Sequence, residues 1–221
     1  MNIIMLGERQ VALFAPNYNM KRPIVYTHLS IETAEAVYSL LENENIVLAA
    51  VDGVDWDAEL SPWPAPRAFR RGNDFTGHAD TYLQELGNDI IPAVEATLDF
   101  QPDCRYLAGY SLAGLFSVYA LYRTDMFSRA ASVSGSLWYD GFVNFMKENH
   151  PYKRPEQVYF SLGEQEGFTK NIRSSKVKQC TLDSERILQD LGAKTIFEIN
   201  RGNHFADIPE RIAKGIRWIL S

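Results

Sequence analysis

The sequence has few cysteines, no long apolar run and no concentration of positive charge. Two cysteines, Cys104 and Cys180, are too few for a disulfide framework, so we expect free thiols in a reducing compartment. No window approaches the roughly 18 consecutive apolar residues that a membrane-spanning helix needs. Acidic residues outnumber basic residues by 28 to 22, and the basic residues do not cluster. This charge distribution argues against binding to nucleic acid or to an anionic membrane surface.

Motifs of cofactor and metal chemistry are also missing. The chain contains no G-x-x-x-x-G-K-[ST], G-x-G-x-x-G, H-E-x-x-H or C-x-x-C pattern, and these patterns are typical of nucleotide, dinucleotide, zinc and thiol-redox sites. The N-terminal stretch MNIIMLGERQVALFAPN has no basic region followed by a long apolar segment, so it is not predicted to be a signal peptide. We therefore expect a cytoplasmic protein that uses no cofactor and no metal.

Short apolar runs alternate with segments of helical periodicity along the chain. The predicted strands are Gln10–Ala15, Ile24–Thr27, Ile46–Val51, Arg105–Gly109, Ala130–Val133, Val158–Leu162 and Thr195–Ile199, and the predicted helices are Glu32–Leu41, Ala79–Leu98, Leu112–Tyr122, Lys176–Leu191 and Asp207–Leu220. This alternation is typical of an α/β fold with a doubly wound, mostly parallel central sheet and helices on both faces. We expect one domain over residues 1–221, without a large lid domain, and a ligand crevice at the carboxyl ends of the strands.

One segment, Asp52–Thr76, breaks this alternation. It contains three prolines at alternate positions, which cannot continue a helix, and two tryptophans (Pro62, Pro64, Pro66, Trp56 and Trp63). Irregular segments of this length inside a compact domain are usually functional or mobile. The segment is either a wall or lid of the crevice, or a surface excursion held in place by its tryptophans.

A serine stands where a predicted strand runs directly into a predicted helix. The sequence Gly109-Tyr110-Ser111-Leu112-Ala113-Gly114 is similar to the G-x-S-x-G nucleophile elbow, although its fifth position is alanine. Small residues two positions before and after the serine avoid collisions in this strained turn. Ser111 is therefore the predicted nucleophile, with a helix-capping serine as the alternative. The Leu112 amide at the helix start is predicted to bind an oxyanion.

A nucleophilic serine needs a base, and His204 is the predicted one. It follows the last predicted strand, where the order Ser…Asp/Glu…His of α/β-hydrolases has its histidine. The matching carboxylate should lie on a strand-end loop between the serine and the histidine. Glu164 and Glu166 both fit, because residues two positions apart cannot be separated by strand alternation. Asp207 is a weaker candidate, since the pair Asp207 and Glu210 is typical of a helix capping box.

The loop after the strand Ile24–Thr27 is the expected source of a second oxyanion donor. Its Leu29 amide is the predicted donor. His28 in the same loop, Tyr110 in the serine turn and Trp138 after the next strand are the residues expected to line the substrate pocket. The alternatives are a structural role for His28 and a packing role for Trp138 beneath the serine turn.

Four blocks of the sequence together resemble the enterochelin esterase-like branch of the esterase family of α/β-hydrolases. The blocks are Arg71–Gly77 with Asp89–Pro92, Tyr106–Leu115 with Ser134–Trp138, Ser161–Glu166, and Gly202–Phe205. The resemblance implies an α/β-hydrolase fold in which Ser111 is the nucleophile, His204 the base and Glu166 the acid. Ala113 departs from the family pattern, which usually has glycine there.

The predicted activity is that of a serine esterase acting on a small molecule. It would cleave a carboxylic or thiol ester through an acyl-enzyme on Ser111. A thioesterase resembling S-formylglutathione hydrolase and an acyltransferase are alternatives within the same chemistry. A binding protein that keeps the hydrolase fold without catalysis is the alternative outside it, because Ala113 alters the motif. The sequence leaves the substrate open, and it leaves a homodimer open as well.

Overall fold

The computed structural model describes residues 1–16, 21–69 and 72–221, so Arg71 of the first family block lies outside the described residues. The strands are β1 (Asn2–Leu6), β2 (Arg9–Phe14), β3 (Ile24–Thr27), β4 (Val47–Asp52), β5 (Pro64–Ala65), β6 (Phe75–Thr76), β7 (Arg105–Tyr110), β8 (Arg129–Val133), β9 (Gln157–Gly163) and β10 (Lys194–Asn200). The α-helices are α1 (Ile31–Leu40), α2 (Trp56–Glu59), α3 (Ala79–Glu85), α4 (Ile91–Glu95), α5 (Leu112–Arg123), α6 (Phe142–Glu148), α7 (Val177–Asp190) and α8 (Ile208–Leu220).

The main sheet of the described residues has eight strands in the order β1-β2-β4-β3-β7-β8-β9-β10. The strands from β4 to β10 in this order are parallel to their neighbours. At the other edge, β2 is antiparallel to both β4 and β1. The predicted mostly parallel sheet is therefore confirmed. The parallel strands place the ends of β3, β7, β8, β9 and β10 along one edge, where the predicted site residues follow them.

Helices cover both faces of the sheet, as predicted. On one face, α1 and α8 pack together and bury an apolar stripe of α8 formed by Ile212, Ile216 and Ile219. The other face carries α3 to α7, and α5 is buried along nearly its whole length. No helix within the described ranges is long and apolar enough to cross a membrane.

Two local elements differ from the predictions. The N-terminal strand β1 was not predicted, because its apolar run is short and pairs only with β2 through a tight turn at Gly7, whose φ is +63°. The predicted helix Ala79–Leu98 ends earlier and has a wider π-helical turn at Leu86–Ile90. This turn directly precedes α4, whose Pro92 lacks the amide that a regular helix would use.

The described part of the segment Asp52–Thr76 packs through Trp63 against helices on one face of the sheet. Trp63 packs among aromatic rings of α5 and α6, with ring centroids 5.5 Å apart for Phe145 and 6.4 Å apart for Tyr119. Its indole Nε1 donates to the Asp140 carbonyl at 2.8 Å. The prediction of a segment held by tryptophan thus applies to Trp63, whereas Trp56 is 36% exposed.

Candidate active site

Ser111 occupies a strained turn between β7 and α5. Its φ of 59° and ψ of −119° lie outside the conformations that L-residues usually adopt. Hydrogen bonds hold the turn on both sides: the Ser111 amide donates to the Val133 carbonyl at 3.0 Å, and the Ser136 amide donates to the Ser111 carbonyl at 2.9 Å. A Cβ on Gly109 would lie 2.0 Å from the carbonyl oxygen of Ala113. The close approach of strand and helix therefore requires glycine at position 109.

The Ser111, His204 and Glu166 side chains form one hydrogen-bonded chain. His204 Nε2 lies 3.0 Å from Ser111 Oγ, and His204 Nδ1 lies 2.8 Å from Glu166 Oε2. The Tyr110 hydroxyl donates to the backbone carbonyl of His204, which ties the histidine loop to the end of β7. The imidazole is 30% exposed and the carboxylate only 4%. The reactive end of the chain therefore faces solvent, while its carboxylate end is buried.

The Glu166 carboxylate is held by more donors than the histidine alone. Oε1 accepts hydrogen bonds from the Gly163 amide at 2.5 Å, from the Ser134 hydroxyl at 2.7 Å and from Arg211 Nη2 at 2.7 Å. Burial by itself would raise the pKa of this carboxyl. The hydrogen bonds from His204, Arg211, Gly163 and Ser134 outweigh burial and lower the pKa to about 2. Glu166 is therefore an anion at neutral pH.

The other two candidate carboxylates have different surroundings. Glu164 is exposed, and its side chain accepts a weak hydrogen bond from the Gly202 amide at 3.4 Å. Asp207 precedes α8 in a left-handed conformation with a φ of +51° and forms no side-chain cap. The predicted capping box of Asp207 with Glu210 was therefore wrong, because a capping residue needs an extended backbone. Of the three, Glu166 is the one that contacts His204.

Two backbone amides lie near the serine without a partner among the described residues. Leu112 is the first residue of α5, where helix geometry leaves the amide unbonded. The Leu29 amide donates to no described residue. Its loop follows β3, which pairs with β7 so that Thr27 is opposite Ala108. The loop of Leu29 thus adjoins the Ser111 turn at the same edge of the sheet.

The structure places His28 and Tyr110 away from the expected pocket lining. His28 is only 1% exposed and packs against Phe116, with ring centroids 5.2 Å apart, while its Nε2 lies 2.9 Å from the Tyr82 hydroxyl. Burial, and secondarily the charge of Arg9, lowers the pKa of His28 to about 3, so this imidazole is neutral. Tyr110 lies beneath the histidine loop. Both expectations for the pocket are corrected, because these rings fill the interior below the site.

A cavity of about 510 Å³ opens at the serine. It is lined by Phe69, Ser111, Ser134, Ser136, Trp138, Gln165, Glu166, Thr169, Ser174, Val177, Asn203, His204 and Phe205. Trp138 lies in the lining and has its ring centroid 6.0 Å from that of Phe69. Phe69 belongs to the segment Asp52–Thr76, so this segment contributes Phe69 to the lining of the cavity. The described residues contain no cluster of three or more His, Cys, Asp or Glu side chains that could hold a metal ion.

Two residues of the site were not predicted as site residues. Arg211 lies in α8 beside the buried Ile212, and an arginine at such a position is usually a solvated neighbour of an apolar stripe. Ser134 has a φ of +49° in the turn after β8. Only its place beside the apolar stripe of α8 could have indicated Arg211. The sequence does not show that this side of the helix is fully buried.

Comparisons with known proteins find chains that are similar in sequence or in fold. A relative from Bacillus subtilis (strain 168), "Uncharacterized protein YbbA", is 28% identical over 200 residues, which is 84% of this chain and 80% of that protein. An IroE-like serine hydrolase from Shewanella oneidensis has a TM-score of 0.81 at 18% identity, covering 96% of this chain and 75% of that chain. Siderophore hydrolase EstB from Aspergillus nidulans has a TM-score of 0.76 at 16% identity, covering 99% of this chain and 94% of that chain.

The family model described as "Putative esterase" matches residues 7–198, well over half of the sequence. The match ends before His204, so the family model does not include the histidine loop. The assignment of His204 depends on the geometry of the site. The solved structures share the architecture of the main sheet and its helices, which is that of the α/β-hydrolases. The chain therefore belongs to this esterase family, as a carboxylic ester hydrolase with the α/β-hydrolase fold.

Proposed function

We propose that the protein is a serine hydrolase that cleaves a carboxylic or thiol ester through a Ser111–His204–Glu166 triad. The observation that carries this proposal is the hydrogen-bonded chain from Ser111 Oγ through both imidazole nitrogens to Glu166, at 3.0 Å and 2.8 Å. These distances suit a nucleophile, its base and the group that orients the base. The hydrogen-bonded chain ends at the cavity, where an ester can reach the Ser111 hydroxyl.

In the first half of the reaction, Ser111 Oγ attacks the ester carbonyl carbon while its proton moves to His204 Nε2. The carbonyl oxygen then carries the negative charge of the tetrahedral intermediate. The amides of Leu112 and Leu29, which have no partner among the described residues, are the proposed donors to this oxygen. Collapse of the intermediate breaks the bond to the leaving alcohol or thiol, which takes the proton from His204.

In the second half, His204 removes a proton from water, and the resulting hydroxide attacks the acyl carbon on Ser111. Glu166 stabilises the imidazolium that forms in both halves, and its hydrogen bond to Nδ1 holds the ring in the tautomer with a free Nε2. Because the Glu166 carboxyl has a pKa of about 2, it stays ionised throughout. Collapse of the second tetrahedral intermediate breaks its bond to Ser111 Oγ, which takes the proton back from His204, and releases the carboxylic acid.

The cavity supports a substrate larger than a short acyl ester. Its volume of about 510 Å³ lies within the range of drug-sized ligand sites. Trp138, Phe69 and Phe205 supply flat apolar surfaces, and hydroxyl and amide side chains lie between them. One similar solved structure is named a siderophore hydrolase, so a siderophore ester belongs in the substrate series together with p-nitrophenyl esters and a matched thioester.

Labelling by a fluorophosphonate probe tests the proposed mechanism. The wild-type protein should be labelled on Ser111, and Ser111→Ala should lose the label. The same substitution should lower kcat for p-nitrophenyl butyrate by roughly 10⁴-fold or more, because removal of the nucleophile leaves only oxyanion and binding effects. Mass spectrometry locates the label, and absorbance of the released p-nitrophenol measures the turnover.

Ser117→Ala is the matched control, since this serine is buried in α5 and its hydroxyl donates within the helix, to the Ala113 carbonyl at 2.8 Å. It should keep both label and turnover. An unlabelled wild-type protein, or Ser111→Ala with undiminished turnover, would show that the protein does not use this mechanism.

A further inference from the structure

Arg211 reaches the Glu166 carboxylate from α8. Its side chain, on α8, is 3% exposed. Nη2 donates to Glu166 Oε1 at 2.7 Å and also to the Ser134 hydroxyl oxygen. This contact leaves Oε2 of the same carboxylate for His204 Nδ1. One end of the guanidinium thus determines which carboxylate oxygen faces the imidazole.

The other end of the guanidinium holds the histidine loop. Nη1 donates to the backbone carbonyls of Asn203 at 3.1 Å and of Ala206 at 3.3 Å. These residues lie just before and just after His204. The contacts therefore fix the loop on both sides of the imidazole.

The two sets of contacts depend on the shape of arginine. A planar guanidinium presents donors in a rigid fork, and here the two terminal nitrogens bind acceptors on the loops after β8, β9 and β10. A lysine ammonium at this position is a single point of charge and cannot span these acceptors. Burial of the cation is tolerated because the ionised Glu166 lies 2.7 Å away.

We infer that Arg211 is a positioning residue of the hydrolytic site, which aligns the Glu166 carboxylate and the His204 loop at the same time. This inference rests on the function proposed above. Arg211 is not among the residues that line the cavity, so it acts on the reaction only through those two partners.

Kinetic constants of Arg211→Met and Arg211→Lys test the positioning role. For Arg211→Met, kcat should fall about 100-fold, since a misplacement of about 1 Å can cost this much. KM should stay within about threefold of the wild-type value, because substrate does not touch Arg211. Arg211→Lys should lose activity less severely. Arg217→Met on the same helix is the control and should behave as wild type, since Arg217 binds Glu44 and the Leu40 carbonyl, which lie outside the site.

The pH profile separates positioning from a merely structural role. The charged or titratable groups that face His204 are Glu166 from the loop after β9, Tyr110 from β7 and Arg211 from α8. Removal of the positive charge should make the imidazolium easier to form. The acid limb of kcat/KM should therefore move to higher pH by about half a unit or more in Arg211→Met, and stay in place in Arg211→Lys.

Three results would overturn the inference in a protein whose Ser111 is labelled. They are a kcat of Arg211→Met within threefold of wild type, a loss of activity with an unmoved acid limb, and loss of the fold in both variants by circular dichroism. The last result would assign Arg211 to stability alone. An unlabelled wild-type protein would instead refute the proposed function, so the two failures are distinguishable.

Discussion

Glu164 and Glu166 lie two residues apart on the loop after β9, yet only one of them reaches the imidazole. The backbone turns sharply here, because the Glu166 amide bonds back to the Gly163 carbonyl at 3.1 Å. The turn directs the Glu166 side chain into the interior and leaves that of Glu164 in solvent. Two side chains that are equivalent by strand alternation therefore have opposite environments.

Substitution of the two glutamates should have very different kinetic effects. Glu166→Gln should lower kcat by up to roughly 10⁴-fold, because the amide no longer stabilises the imidazolium and does not fix its tautomer. Glu164→Gln keeps size and polarity at an exposed position and should stay within about threefold of wild type. Steady-state assays on one p-nitrophenyl ester measure both. Equal losses in the two variants would contradict the assignment of Glu166 as the acid.

These side chains show which site residues can be predicted from the local sequence. α/β-Hydrolases have their serine in a strand-to-helix turn and their histidine after the last strand. This order along the chain was enough to predict Ser111 and His204. The choice between the glutamates could not be made from the residues alone, since it depends on a turn between Gly163 and Glu166. Arg211 was missed because its contacts with Ser134 and Glu166 join segments that are 77 and 45 positions away in the chain.

The junction of β7 with α5 is the element that sets the serine geometry. At its start, Gly109 lets the strand pass within contact of the first helical turn, where a Cβ would lie 2.2 Å from the Ala113 carbonyl carbon. At its far side, a Cβ on Gly114 would approach the Gly135 Cα to 2.9 Å. Alanine at position 113 is accommodated, so the departure from the usual family pattern leaves the turn intact.

Gly109→Ala should damage both stability and activity. The added methyl group meets backbone atoms that cannot move away without shifting the turn, so we expect a loss of more than about 2 kcal/mol in the free energy of unfolding. Urea unfolding and the p-nitrophenyl ester assay measure the two effects.

Gly167→Ala is the matched substitution, because its new methyl group would have its nearest neighbour, the Ser175 carbonyl oxygen, at 3.6 Å. Its free energy of unfolding should change by less than about 1 kcal/mol. Similar losses in both variants would show that the close approach at Gly109 is not the cause.

Most helices and strands were predicted because their periodicity is strong. The elements that were missed have weak local signals. β1 has five residues, α2 has four, and α6 follows a left-handed glycine, Gly141, and is held by aromatic packing from α5 and Trp63. Tertiary contacts rather than propensity stabilise such short elements, so sequence alone cannot define them.

The complete sheet brings together residues whose charges affect the stability of the protein. Glu166 is the main example, since its carboxyl has a pKa of about 2 in the folded protein. In an unfolded chain a glutamate titrates near pH 4.3. The folded state is therefore favoured fully above that pH, and this contribution is lost as pH falls through the interval down to about 2.

Acid unfolding should reveal this contribution. The difference between the pKa of Glu166 in the folded and in the unfolded chain corresponds to about 3 kcal/mol of unfolding free energy, at roughly 1.4 kcal/mol for each pKa unit. The difference in unfolding free energy between wild type and Glu166→Gln should be largest near pH 6 and should narrow between about pH 4.3 and pH 2. Urea titrations at several pH values measure it. A difference that is constant over this range would contradict the low pKa of Glu166.

The order of strands could not be read from the sequence, because it depends on contacts between distant segments. The antiparallel placement of β2 beside β4 also lacks a local signature. What the pattern did predict was the common edge at which the loops after the parallel strands meet, since chirality fixes how such strands connect.

The separation of Ser111 from His204 by 93 positions has a consequence for biosynthesis. A nascent polypeptide that has left the ribosome only as far as β10 carries a finished serine turn but neither its proton acceptor nor the arginine of α8. Under the proposed mechanism, the serine of such an intermediate has no base to take its proton. Termination before His204 would accordingly yield a fragment without the proposed base, whereas removal of α8 alone would leave His204 in place without the contacts of Arg211.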